Sequence, residues 1–163
     1  REFIAGYVAH LATAESWALK IVRPRFVAEE RNGISRMDKF ISLHLILTHM
    51  DERDEISLEA WQAESLASAI PYEWLPFMSD EVICGWRDLV AGQILPDGES
   101  QTLPIFSQRL RLDPLDIRAM LDDHTEMTRR LWQYLPQSIL AEAESQMYAY
   151  TRDQICVYLT EFD

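Results

Sequence analysis

The sequence predicts an all-α protein, a single-domain bundle of about six helices that contains no sheet. Three observations lead to this prediction. Apolar residues recur at spacings of three and four along most of the chain, which is the period of a helix with one buried face. No segment of useful length alternates polar and apolar residues as a strand does. Capping residues and prolines divide the 163 residues into segments of helical length.

The first predicted helix covers residues 2–23, where apolar side chains form one stripe. Pro24 should end or kink this helix, because proline lacks a backbone N–H and its ring clashes with the preceding turn. A short helical turn is predicted over 25–31, closed by the turn-forming pair Asn32-Gly33.

The second helix is predicted to begin at a capping signal. Ser35 is followed three residues later by Asp38, which is the spacing of a capping box. The helix should run to about Met50, and it is apolar on most sides over 40–47, so we expect it to be well covered. The acidic residues 51–55 that follow it are predicted to form a solvated loop.

The third helix is predicted to begin at Ser57, a residue type that caps helices well. Ile56 and Trp61 occupy the two positions of a hydrophobic staple around this cap. Pro71 should end the helix, since proline cannot continue it.

A linker rich in aromatic residues, 71–77, follows and is bounded by prolines. Ser79 is predicted to cap the fourth helix, which should end near Gly92. Residues 96–108 are the least regular stretch of the chain and are predicted to be a loop.

The last two predicted helices are the longest pair. Asp113 should cap the fifth helix, with Pro114 at its first position, and this helix should continue to about Leu135. Ser138 is predicted to cap the sixth, which covers 139–162. Two long helices joined by a tight turn often pair with a second copy as a four-helix bundle. The last helix also carries apolar residues around much of its circumference, so we expect a homodimer that uses this helix.

The net charge of −12 and the pI near 4.7 exclude some classes of partner. Nucleic acid and anionic membranes need a basic face, so neither is expected to bind. The apolar runs are too short to span a bilayer. Cys84 and Cys156 lie far apart, without a metal-binding spacing, which favours free thiols in a reducing, cytoplasmic location.

Three ionisable residues fall near the centre of apolar helical stripes: Glu15, His44 and His124. We predict that all three are mostly buried and that at least two share a hydrogen-bonded network, because a buried polar group needs a partner. They match the two-histidine, one-carboxylate set of non-haem iron centres, and two histidines on different helices also suit haem. The simpler interpretation, which we favour, is that an arginine, backbone groups or hydroxyls satisfy each one.

Aromatic residues are numerous for a small helical protein, and four of them lie on or near predicted surfaces. Trp17 projects from the polar side of the first helix, and Trp74, Phe77 and Trp86 lie on or after the linker that is bounded by prolines. Exposed aromatic residues beside prolines are typical of protein or peptide docking surfaces.

The sequence contains no conventional nucleophile or phosphate-binding motif. We therefore favour a non-enzymatic protein-interaction or regulatory domain, in which Trp17, Trp74, Phe77 and Trp86 contact a partner. One alternative is a metal- or haem-binding protein, or an oxygen-using enzyme, built on the three ionisable residues. A second alternative is a sensor that holds a small molecule inside the bundle.

Overall fold

The structure is a computed structural model that describes residues 1–28, 34–95 and 98–161. Within these ranges the chain is mostly helical and forms no strand, which confirms the all-α fold class. The turn predicted at Asn32-Gly33 lies outside the described residues.

Eight α-helices and two π-helical segments make up the described ranges. The α-helices are α1 Glu2–Trp17, α2 Arg36–Glu55, α3 Ala60–Ser68, α4 Asp80–Ile94, α5 Thr102–Leu110, α6 Pro114–Asp122, α7 His124–Met127 and α8 Gln137–Glu161. The π-helical segments Ala18–Val27 and Thr128–Trp132 continue α1 and α7.

The number of helices exceeds the predicted six for two reasons. First, α5 forms inside the predicted loop 96–108, and Pro104 is tolerated because it lies in the first turn, where its missing N–H would have no helical partner. Second, the predicted fifth helix is interrupted at Asp123. Its carboxylate accepts hydrogen bonds from the backbone N–H groups of Thr125 and Glu126, at 2.8 and 3.2 Å, and so starts α7.

Most of the predicted caps are present. The side-chain oxygens of Ser35, Ser79 and Asp113 each accept a hydrogen bond from a backbone N–H in the first helical turn. The prediction for α3 was wrong, because its cap is Glu59, which forms a reciprocal capping box with Gln62.

Two helices run further than predicted. The helix that begins as α1 continues through Pro24, because it widens into the π-helical segment, where the proline is accommodated. The acidic residues 51–55 continue α2. Ser57 therefore lies just beyond the end of α2, where its hydroxyl donates a hydrogen bond to the carbonyl of Asp54 at 2.7 Å.

The described residues pack into two units. Unit 1 comprises 1–45 and 120–163, and unit 2 comprises 46–119. The single-domain organisation stays a prediction. Across the described part of the chain, every helix is too short or too polar to cross a lipid bilayer.

Unit 1 is built around the antiparallel pair of α1 and α8. Hydrogen bonds join the side chains of Thr13 and Thr151 at 3.0 Å and those of Lys20 and Gln146 at 2.7 Å, so the two helices run in opposite directions. The buried hydrophobic residues of this unit are Ala12, Ile21, Phe26, Ile41, Leu45, Met127, Leu131, Leu135, Leu140 and Ala143.

Unit 2 contains the packed pair α3 and α4. Its buried hydrophobic residues are few and include two alanines: Ile46, Ala63, Ala91, Leu110 and Ile117. Many of its large apolar side chains remain exposed instead.

Candidate functional site

Glu15 is exposed, so the prediction that it is buried was wrong. Its Oε2 atom accepts a hydrogen bond from the Tyr150 hydroxyl at 2.8 Å. This bond raises the pKa of Tyr150, because the protonated phenol is the form that donates to the carboxylate. The helical phase was misjudged within α1 itself, where the buried positions are Ala12 and Ser16 and where Leu11, on the same face as Glu15, is exposed.

His44 is buried, as predicted. Its Nδ1 atom lies 2.8 Å from the backbone carbonyl oxygen of Phe40, one turn earlier in α2. The two rings meet edge to face, with centroids 4.3 Å apart. A backbone hydrogen bond therefore satisfies this histidine, which is the simpler of the two interpretations of its position.

His124 is exposed, so its predicted burial was also wrong. It is the first residue of α7, next to the capping Asp123, where the predicted continuous helix is broken. The structure does not bring Glu15, His44 and His124 into one network, and the described residues contain no group of three or more His, Cys, Asp or Glu that could hold a metal ion. The metal and haem alternatives lose their proposed ligand set.

The four aromatic residues predicted to contact a partner are divided between the units. Trp17 lies in unit 1 and is half-buried. The other three lie in unit 2, where Trp74 is half-buried, while Phe77 and Trp86 keep 67% and 61% of their surface exposed.

The exposed side of α4 carries a continuous apolar stripe, which the sequence analysis did not single out. Its residues are Val82, Trp86, Leu89 and Val90, and each is exposed. Their spacings of four, three and one place them on one face of the helix, which we call the α4 stripe. An apolar face of this kind usually packs against another helix.

The linker before α4 adds exposed aromatic surface on a fixed backbone. Tyr72 keeps 79% of its surface exposed. The N–H of Glu73 donates to Asp80 Oδ2 at 2.9 Å, and the Arg87 guanidinium donates to the carbonyl of Ala69 at 2.6 Å. The first bond ties the linker to α4, and the second ties Ala69, at the end of α3, to the same helix.

Unit 2 carries most of the negative charge of the protein. Residues 46–119 contain fourteen acidic and five basic residues, a net charge of −9 out of −12. Three of the five basic residues, Arg53, Arg87 and Arg118, form ion pairs with acidic side chains of the same unit. The surface around the α4 stripe is therefore strongly acidic.

An acidic cleft adjoins the α4 stripe. It has a volume of about 340 Å³ and is lined by Asp51, Asp54 and Glu55 from the end of α2. Val90 lines it too and also belongs to the α4 stripe, so the two features form one continuous surface.

Comparison of the chain with protein families, curated proteins and solved structures found no match. We therefore base the proposed function on the apolar stripe, the linker and the charge of unit 2.

Proposed function

We propose that the protein is a helical interaction or regulatory domain whose unit 2 binds a cationic, amphipathic helix of a partner protein. The apolar side of that helix lies along the α4 stripe and contacts Phe77 and Tyr72 on the linker. Its basic residues face the surrounding carboxylates. Helix-in-groove recognition of this kind uses apolar anchors at spacings of three and four, which the α4 stripe matches.

The observation that carries this proposal is the exposure of the α4 stripe, four large apolar side chains on one face of a helix. Soluble proteins seldom leave neighbouring large apolar side chains uncovered without a partner for them. Aromatic residues, and tryptophan above all, provide much of the binding energy at protein interfaces. Trp86 lies within the stripe and is the expected principal anchor.

The negative charge of unit 2 favours a partner helix with basic residues. The net charge of −9 on unit 2 repels an acidic helix and attracts a basic one from a distance. The acidic cleft formed by Asp51, Asp54 and Glu55 suits a lysine or arginine whose aliphatic stem packs on Val90. Trp74 belongs to the same linker and is half-buried. Trp17 lies in unit 1, so its predicted contact with a partner is separate from this surface.

Two further expectations belong to this proposal. Binding without turnover is expected of a surface that recognises its partner through apolar anchors and charge. A cytoplasmic location is the expected setting for the two free thiols, Cys84 and Cys156.

The test is a fluorescence-anisotropy titration of the full chain with a labelled Leu/Lys peptide of roughly 14 residues, patterned as an amphipathic helix. We expect saturable binding that weakens as salt rises, since exposed charges are screened. Trp86→Ala should weaken it by about tenfold or more, because a central anchor is lost. A peptide of the same pattern with Glu in place of Lys should bind much more weakly.

Val27→Ala is the control, because Val27 is an exposed apolar residue in unit 1. It should bind the Leu/Lys peptide as the unmodified protein does. Equal affinity for the Lys and Glu peptides, or a Trp86→Ala variant that binds unchanged, would show that this surface is not the docking site.

A further inference from the structure

Two glycines of α4 lie in the same row of residues as part of the α4 stripe. Gly85 and Gly92 are both exposed. With Val82 and Leu89 they recur at spacings of three and four, so the four positions share one face of the helix. Along this row a large apolar side chain alternates with a position that has no side chain.

The packing of the described chain does not require glycine at either position. A Cβ atom added to Gly85 or Gly92 would meet no described atom within 4 Å, so alanine would fit at both. Glycine destabilises a helix relative to alanine, because it loses more conformational freedom on folding. The two glycines therefore cost stability without improving the packing of the described residues.

A partner helix can make use of these open positions. Where two helices pair closely, large side chains of one helix insert into holes between the side chains of the other. The missing side chain of Gly85 leaves a hole between Val82 and Leu89, with Trp86 beside it, and all three of these side chains are exposed. Gly92 lies two turns further on, a distance of about 10.5 Å along a helix.

We propose, on the basis of the proposed function, that the partner helix places large apolar side chains, seven residues apart, in the holes at Gly85 and Gly92. This pattern specifies which amphipathic basic helices fit the α4 stripe. A helix with small residues at these two places leaves the holes empty and loses contact with Val82 and Leu89. Gly85 is the specificity-determining position, because it lies between the large side chains of the row.

The test uses the Leu/Lys peptide and the anisotropy titration described above, with the full chain. Gly85→Ala should weaken binding severalfold, and Gly85→Leu should weaken it by about tenfold or more, because the added side chain occupies the hole and holds the peptide away. Without the peptide, Gly85→Ala should raise the melting temperature by about 3 °C, since alanine favours the helix. A variant that is more stable and yet binds more weakly cannot owe its weaker binding to unfolding.

Gly6→Ala is the matched control. Gly6 is an exposed glycine of α1 in unit 1, and a Cβ atom added there would also meet no described atom within 4 Å. The variant should raise the melting temperature by a similar amount and bind the peptide as the unmodified protein does.

The sign of the change in affinity decides the outcome. If no partner side chain enters the hole, the added apolar surface of Gly85→Ala and Gly85→Leu should leave binding unchanged or strengthen it, and either result would overturn this proposal. The proposed function would still stand if Trp86→Ala weakened binding in the same titration. Absence of binding by the unmodified protein would overturn both proposals.

Discussion

Arg130 connects the second π-helical segment to α2. Its Nε atom donates to Glu126 at 2.9 Å, and its Nη1 atom approaches Asp38 of α2 at 3.4 Å. Its backbone carbonyl accepts a hydrogen bond from the buried Ser42 hydroxyl at 2.9 Å. A single residue of the second π-helical segment is thus fastened to α2 by its side chain and its backbone.

This cluster predicts a loss of stability in acid. Hydrogen bonds from Arg129 and then Arg130 lower the pKa of Glu126 to about 2, from an ordinary 4.5. A carboxyl whose pKa is lowered by folding stabilises the folded state fully above its unfolded pKa, and this contribution is lost as pH falls through the folded value. The free energy of unfolding should therefore decline between about pH 4.5 and pH 2.

Urea denaturation at several pH values in this range measures the effect. In Glu126→Gln the free energy of unfolding should fall less between these pH values than in the unmodified protein. In Glu161→Gln, at the exposed end of α8, it should depend on pH as it does in the unmodified protein. Identical pH dependence in Glu126→Gln and the unmodified protein would contradict the role of the arginine bonds.

At single positions the sequence predicted the chemistry of pairing better than it predicted burial. The spacing of Glu126 and Arg130 predicts an ion pair along one helix face, and the pair is present. Arg118 of α6 pairs with Glu52 of α2. Glu52 is a tertiary neighbour, which no local spacing reveals.

At the level of helices, the interruption at Asp123 could not be predicted from periodicity. The apolar stripe of 114–135 continues across Asp123, so periodicity alone predicts one helix. The structure breaks the helix there because the carboxylate captures two backbone N–H groups. An acidic residue inside an amphipathic segment can face solvent or begin a new helix, and tertiary packing decides between the two.

Asp123→Ala should therefore weaken this junction. Loss of a helix cap costs about 1 kcal/mol, and here both bonds depend on one carboxylate. Urea denaturation near neutral pH measures the change. Asp153→Ala is the control, because the ion pair of Asp153 with Arg152 is largely exposed and should contribute at most a few tenths of a kcal/mol. Equal destabilisation by the two variants would show that the Asp123 cap adds no stability.

At the scale of the whole molecule, helical periodicity and capping residues predicted the fold class, but neither they nor the composition predicted where the charge and the exposed apolar surface lie. The net charge of −12 is a property of the full chain, and three quarters of it falls in unit 2. Val82, Leu89 and Val90 have the spacing of a helix face that packs against a neighbour, and periodicity does not tell whether that neighbour is present. Burial depends on a neighbour, and in unit 2 the small side chains of Ala63 and Ala91 occupy the buried positions instead.

The predicted homodimer belongs to this scale. α8 uses one side to pack on α1, while Tyr148 and Leu159, three turns apart on another side, remain exposed. A long helix with apolar residues outside its internal contact favours pairing with a second copy.

Sedimentation velocity at tens of micromolar should give twice the 19.0 kDa chain mass. The double variant Tyr148→Glu, Leu159→Glu should restore the monomer, whereas Tyr72→Glu in unit 2 should not. A monomer in the unmodified protein would reject the dimer and leave this side of α8 to another partner.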